Sequence, residues 1–152
     1  MFRGNHPARV EESGRIKLPT AFKETADQHN LVTFYVTSTD GSSAEIWPLN
    51  EWEKVEQALT SEGTLDELTE RFMTATSYYG QEVKMDAQGR FVLPQLLRAS
   101  AKLSGDVAVV GKTKYLEIYN LEKIEQAIQA NPVTKEERNR IAVASRRMAA
   151  NV

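Results

Sequence analysis

Two short stretches of this 152-residue chain carry the same arrangement of groups able to do recognition chemistry. Glu11-Glu12-Ser13-Gly14-Arg15 and Asp86-Ala87-Gln88-Gly89-Arg90 each set a carboxylate four residues before an arginine, with a glycine just ahead of that arginine. A guanidinium presents a planar fork of donors that matches phosphate oxygens or the O6/N7 edge of guanine. The acid has two readings. It can accept hydrogen bonds from backbone amides and hold the loop while Arg15 or Arg90 projects outward. Alternatively, it can bridge the arginine and staple the hairpin with no partner involved. Duplication at equivalent places shifts the balance toward a repeated contact, though it could equally repeat a folding device, and a combined role is expected. Gly14 and Gly89 suit such a turn because glycine alone enters positive φ without steric cost.

Other chemistry is sparse. His6 and His29 are the only histidines, cysteine is absent, and no ligand-spaced pair such as His-x-x-x-His occurs. Gly-x-Ser-x-Gly, phosphate-binding glycine loops and dinucleotide fingerprints are missing too. The sequence therefore predicts no enzyme, no metal and no cofactor. Trp47, Trp52, Tyr78 and Tyr79 read as core or interface anchors rather than base-stacking groups.

The elements that must position the two turns are themselves duplicated. Val10–Pro19 returns as Met85–Pro94 at an offset of 75, Glu45-Ile46-Trp47 as Glu117-Ile118-Tyr119 at 72, and residues 55–59 as 124–128 at 69. Each half reads as a strand (Ala8 to Val10; Glu82 to Met85), the glycine turn, and a second strand with Ile16 and Leu18, or Phe91 and Leu93, alternating. Pro19 and Pro94 then open short helices burying Phe22 with Ala26, and Leu97 with Ala101. Two more strands follow, Val32–Thr37 with Ala44–Trp47 around an Asp40-Gly41 turn, and Val107–Val110 with Leu116–Tyr119. A ββαββ unit of roughly fifty residues is too small to bury a sound core alone, so the two halves are expected to share one intertwined barrel.

Helices flank each unit. Asn50 is expected to cap one carrying Trp52, Val55 and Leu59, and Asn120 one carrying Leu121, Ile124 and Ile128. Thr64 with Glu67, and Thr134 with Glu137, form candidate capping boxes. The expected organisation is a first repeat over 5–52, connecting helices over 53–80, a second repeat over 81–124 and C-terminal helices over 125–152. The class is α+β.

Net charge is −2, with a pI near 5.8, which excludes binding to nucleic acid by bulk charge. Yet residues 1–23 sum to +3, residues 84–102 to +3, and residues 45–70 to −7. Two basic loops are thus expected to face phosphates while acidic helices face away; acidic helices are also commonly just solvated faces. The N-terminus lacks the apolar core of a signal peptide and no apolar run approaches the ~20 residues of a membrane span, so a cytoplasmic protein is expected.

The opening Met1-Phe2-Arg3-Gly4, the two acid-to-Pro turns and Pro48-Leu49-Asn50-Glu51-Trp52 together resemble the bacterial MraZ proteins over roughly residues 1–130. Those carry two SpoVT-AbrB units, each with an Asp-x-x-x-Arg turn. The resemblance implies an AbrB-like swapped-hairpin, double-split β-barrel. It also implies a sequence-specific, nucleoid-associated DNA-binding transcriptional regulator at the promoter of the division and cell-wall gene cluster. Ring-like homo-oligomers would set several basic faces on short direct repeats of double-stranded DNA, with no membrane involved. Carried over residue by residue, Arg15 and Arg90 are the motif arginines and Lys17 and Arg3 phosphate neighbours; the DNA-binding reading then expects Arg15 and Arg90 on base edges, with Lys84 and Arg98 joining Lys17 and Arg3 mainly on phosphates. Asp86 matches the motif acid; Glu11 departs from it by one methylene, so the first loop is expected to differ. Arg138, Arg140, Arg146 and Arg147 fall outside the match and read as a solvated or oligomeric face. The rival reading is an AbrB-like interaction scaffold or antitoxin-type module.

Overall fold

A computed structural model describes residues 1–61 and 66–150, in two compact units, Met1–Leu121 and Glu122–Val152. The first unit is an antiparallel eight-stranded sheet. In chain order its elements are β1 (Phe2–Val10), β2 (Arg15–Lys17), α1 (Thr20–Gln28), β3 (Thr33–Thr37), β4 (Ala44–Pro48), α2 (Leu49–Ser61), α3 (Glu67–Tyr78), β5 (Gln81–Lys84), β6 (Arg90–Val92), α4 (Gln95–Ala101), β7 (Gly105–Thr113) and β8 (Tyr115–Asn120). The strands run β5-β3-β4-β8-β7-β1-β2-β6, and the Asp86 turn links β6 back to β5, so the sheet nearly closes into a barrel.

The halves are interleaved. β1 pairs with β7 and β5 with β3, each a strand of one repeat on a strand of the other. β2 pairs with β6, and β4 with β8, so each repeat completes the other's sheet. This is the double-split barrel of two repeats. Its interior follows from strand alternation: Ile16 and Phe91, Phe34 and Val36, Ala44 and Ile46, Val107 and Val109, and Leu116 and Ile118 all point inward and are buried. α1 contributes Phe22 and Ala26, and α4 Leu97 and Ala101, to the same core.

β1 runs from Phe2, well ahead of the expected Ala8, because β7 is nine residues long and pairs with all of it. Pro7 is accommodated because β1 has β7 as its only sheet neighbour there; β2 joins only at Val10. Outside the barrel, Trp52 of α2 stacks on Tyr35 at 5.0 Å between ring centroids and meets Trp47 edge-on at 5.5 Å. Trp47 in turn stacks on Tyr115 at 4.2 Å. The expected anchor role thus describes Trp47, Trp52 and Tyr79, which packs against the barrel core; Tyr78 is 63 % exposed and meets only Tyr79 edge-on among the described rings.

Helix starts differ in part from expectation. α2 opens one residue before Asn50, so Asn50 lies in its first turn. Asp66 caps α3, its carboxylate accepting from the Thr69 amide at 2.7 Å; Thr64 lies outside the described residues. α5 (Leu121–Ala130) follows Asn120 directly. In the second unit, α6 (Lys135–Ala150) begins with the expected reciprocal box: Glu137 N donates to Thr134 Oγ1 at 3.1 Å, and Thr134 N to Glu137 Oε1 at 3.0 Å. Arg138, Arg140, Arg146 and Arg147 on that helix are all exposed. No described helix is long and apolar enough to cross a membrane.

Candidate nucleic-acid interface

The two turns, 75 residues apart in sequence, meet in space. β2 and β6 lie side by side with Arg15 opposite Val92, Ile16 opposite Phe91 and Lys17 opposite Arg90. Beyond each end of this ladder a leucine amide reaches the other repeat's turn: Leu18 N donates to Gly89 O and Leu93 N to Gly14 O, both at 2.9 Å. Those bonds put Arg15–Val92 and Lys17–Arg90 at the non-hydrogen-bonded positions, where opposed side chains lie closest. Alternation buries Ile16 and Phe91 and turns Arg15, Lys17, Arg90 and Val92 outward. One cationic two-stranded ribbon results.

Among the described residues, Arg15, Lys17 and Arg90 side chains make no hydrogen bond or ion pair, so their donors are not spent within the chain. The staple reading of the acids therefore fails, since neither Glu11–Arg15 nor Asp86–Arg90 forms an ion pair. Asp86 does the other work expected of it. Its Oδ1 accepts from the amides of Gln88 and Arg90, both at 2.9 Å. The Arg90 amide first, then the Gln88 amide and the charges of Arg90 and Arg15, hold this carboxyl below the usual aspartate range.

Glu11, expected to hold the first loop in the same way, does not. Its backbone closes the turn, with Glu11 N donating to Arg15 O at 2.9 Å and Gly14 N to Glu11 O at 2.8 Å, but its carboxylate makes no hydrogen bond. Glu11 differs from Asp86 by one methylene, and the short Asp side chain is the one suited to accept from amides two and four residues on. Ser13 Oγ takes the Arg15 amide instead, at a long 3.4 Å.

Both turn glycines have positive φ, +87° at Gly14 and +83° at Gly89, and each also has a cation from the opposite repeat beneath it. A Cβ on Gly14 would stand 2.5 Å from Arg98 Cζ; one on Gly89 would stand 2.9 Å from Lys23 Cδ. Arg98 Nε donates to Leu93 O at 3.0 Å and its Nη1 to Glu12 O at 3.4 Å. It therefore braces the first turn from below, a positioning task beyond the phosphate contact expected. Lys23, its repeat equivalent, holds Asp27 at 2.6 Å. Sequence reading passed over Lys23 as a site residue, although its offset of 75 from Arg98 was there to find.

Lys84 is exposed and shares a shallow open depression with Val92, Pro94 and Arg98. Arg9, the repeat equivalent of Lys84, pairs with Asp106 at 3.2 Å. Arg3 stands apart from all of these. It faces Lys112 across the ladder near the far end of β1, about 24 Å of extended strand from Val10.

Charge is segregated around the barrel. β4 and β8 lie on the opposite side of the sheet order from β2 and β6, and there Glu45 sits directly opposite Glu117. Burial first, with the Glu117 charge adding to it, raises the Glu45 pKa. Glu117 is held by Lys112 at 2.6 Å and by the Ser43 hydroxyl. Acidic α2 covers the β3–β4 side through Trp52.

A family profile described as "MraZ protein, putative antitoxin-like" matches residues 1–75 and 79–146. This chain belongs to the MraZ family. Relatives named Transcriptional regulator MraZ include one from Acidobacterium capsulatum, 50 % identical over 142 residues, 93 % of this chain and 97 % of the relative. Another, from Koribacter versatilis, is 43 % identical over 90 % of this chain and 94 % of its own length. An Actinobacillus pleuropneumoniae MraZ is 32 % identical over 78 % and 79 %. The MraZ match spans both turns and both repeats of the barrel.

Proposed function

We propose that the chain is a transcriptional regulator that binds double-stranded DNA sequence-specifically through the β2–β6 ribbon. The observation that carries this reading is the gathering of Arg15, Lys17 and Arg90, all without internal partners, on one outward face. A two-stranded ribbon is one of the few elements the major groove admits. Arg15 and Arg90 read base edges; Lys17 and Lys84 contact phosphates, and Arg98 adds a weaker phosphate contact from its bracing position. Arg3, at the other end of β1, reaches backbone only on a neighbouring stretch of duplex. The acidic β4–β8 side and α2 face away from the polyanion.

The names of the MraZ relatives support regulation of transcription. The resemblance supports a site at the promoter of the division and cell-wall gene cluster, occupied as short direct repeats by a ring-like oligomer. One ribbon offers few contacts, so affinity comes from several subunits engaging successive boxes, and repression from occluding polymerase. On this reading the protein is a cytoplasmic, nucleoid-associated binder and not an enzyme.

A mobility-shift titration tests it. Arg15→Ala should cost ~1–3 kcal/mol per contacted site and relax sequence preference, whereas Lys17→Ala should weaken all sequences alike and lower the salt slope by about one. Unchanged preference in Arg15→Ala would overturn the assignment. The family description as antitoxin-like favours a second reading, an interaction module whose acidic face binds a protein. Salt-dependent retention on heparin at neutral pH separates the two, since a pI near 5.8 otherwise opposes it.

A further inference from the structure

The ribbon is not symmetric about the axis that relates the two repeats. Repeat equivalence sets Arg15 with Arg90 and Ile16 with Phe91, like for like, but it sets Lys17 with Val92. Val92 is 52 % exposed and lies directly opposite Arg15 on the outward face. A lone exposed valine on a strand is ordinary. This one stands among three cations and opens onto the depression lined by Lys84, Pro94 and Arg98. Opposed side chains at such a position have Cβ atoms about 4.5–5.5 Å apart.

A lysine at this place, as at its equivalent Lys17, would add one more phosphate contact. Valine instead offers a branched, shape-fixed apolar surface beside a guanidinium. On the major-groove edge of a base pair the one apolar group is the 5-methyl of thymine. Successive bases on a strand are about 3.4 Å apart. Two side chains at that Cβ separation therefore reach neighbouring base pairs.

We infer that Val92 is a specificity-determining residue that packs on the methyl group of a thymine adjacent to the base pair read by Arg15. The inference rests on the DNA-binding reading above. It makes the site of one chain directional: Arg15 and Val92 read one end of the box, while Lys17 and Arg90 hold the other. Turning the box around removes the methyl group's apolar partner, because Lys17, which reaches phosphate, then stands where Val92 stood.

The test uses the full chain. Duplexes are enriched from a random library by the wild-type protein, and each thymine of the enriched box is replaced in turn by uracil, which removes the methyl group alone. Fluorescence anisotropy should find one position where the replacement weakens wild-type binding about fourfold, the worth of one buried methyl group. Val92→Ala should bind the thymine and uracil duplexes alike. Val92→Lys should also lose the preference and raise the salt slope by about one. The inference is overturned if no thymine methyl matters to the wild-type protein, or if the methyl effect persists in Val92→Ala. Failure to enrich any box is a different result, and it overturns the DNA-binding reading itself.

Discussion

Gly14→Ala separates the two reasons for glycine in the first turn. At φ +87° an alanine costs about 1–2 kcal/mol through contact between its Cβ and the backbone. The new Cβ would also lie 2.5–2.9 Å from the guanidinium atoms of Arg98. That group ends a flexible side chain and can move, but moving it breaks the bonds to Leu93 O and Glu12 O. Because Arg98 is only half-buried, water replaces part of what is lost, leaving about 1 kcal/mol. The total is about 2–3 kcal/mol. Gly89→Ala carries the same φ penalty, but Lys23 can swing its methylenes aside and keep Asp27, so about 1–2 kcal/mol is expected there. Urea unfolding of Gly14→Ala, Arg98→Ala and the double variant forms a cycle. With the guanidinium already gone, Gly14→Ala should cost the φ term alone, giving a coupling of about 1 kcal/mol. Strict additivity, or a Gly89→Ala at least as damaging as Gly14→Ala, would refute the bracing role of Arg98.

Glu11→Asp should let the first turn copy the second, its carboxylate accepting the Ser13 and Arg15 amides, and stabilise the chain by about 0.5–1 kcal/mol in thermal or urea unfolding. Asp86→Asn should destabilise it near neutral pH, whereas Glu11→Gln should be silent. Because the Asp86 pKa is depressed, its stabilisation is present above the ordinary aspartate range and is lost as pH falls through the lower folded value. Comparing wild type and Asp86→Asn from pH 6 downward, the two should therefore converge in acid. Glu45→Gln should raise the melting temperature at neutral pH and lose that advantage as pH falls through the raised Glu45 pKa, since protonation then relieves the wild-type carboxylate of the same burial and repulsion.

The repeat, the turns, the helices and the inward faces were legible because each is written in local periodicity or in matches at fixed offset. Partner strands were not. Ile16 and Leu18 announce a strand with one buried face, but alternation names no neighbour, and the strand beside β2 begins 75 residues later in the chain. β1 was under-read because Arg3-Gly4-Asn5 and Pro7 interrupt the alternation, while its pairing is imposed by β7. The fate of the two acids hung on a single methylene, which spacing does not weigh. The cations under the glycines were hidden for a related reason: Arg98 and Lys23 look like surface residues of short helices, and only the exchange of strands between repeats carries each beneath the other's turn.

That exchange changes what the two arginines are. Side-by-side loops on separate hairpins would each keep their own geometry and fail separately. Here Leu18 holds the second turn and Leu93 the first, and Arg98 and Lys23 fill the space under the glycines of the repeat to which they do not belong. The backbone that carries each arginine is not positioned by its own repeat alone. The cationic face therefore exists only when both halves are folded together, and damage to either turn must reach the opposite arginine through the shared ladder. This is also why the asymmetry of the ribbon matters: Arg15, Val92, Lys17 and Arg90 stand on one paired ladder, so the difference between Lys17 and Val92 keeps a fixed register to both arginines.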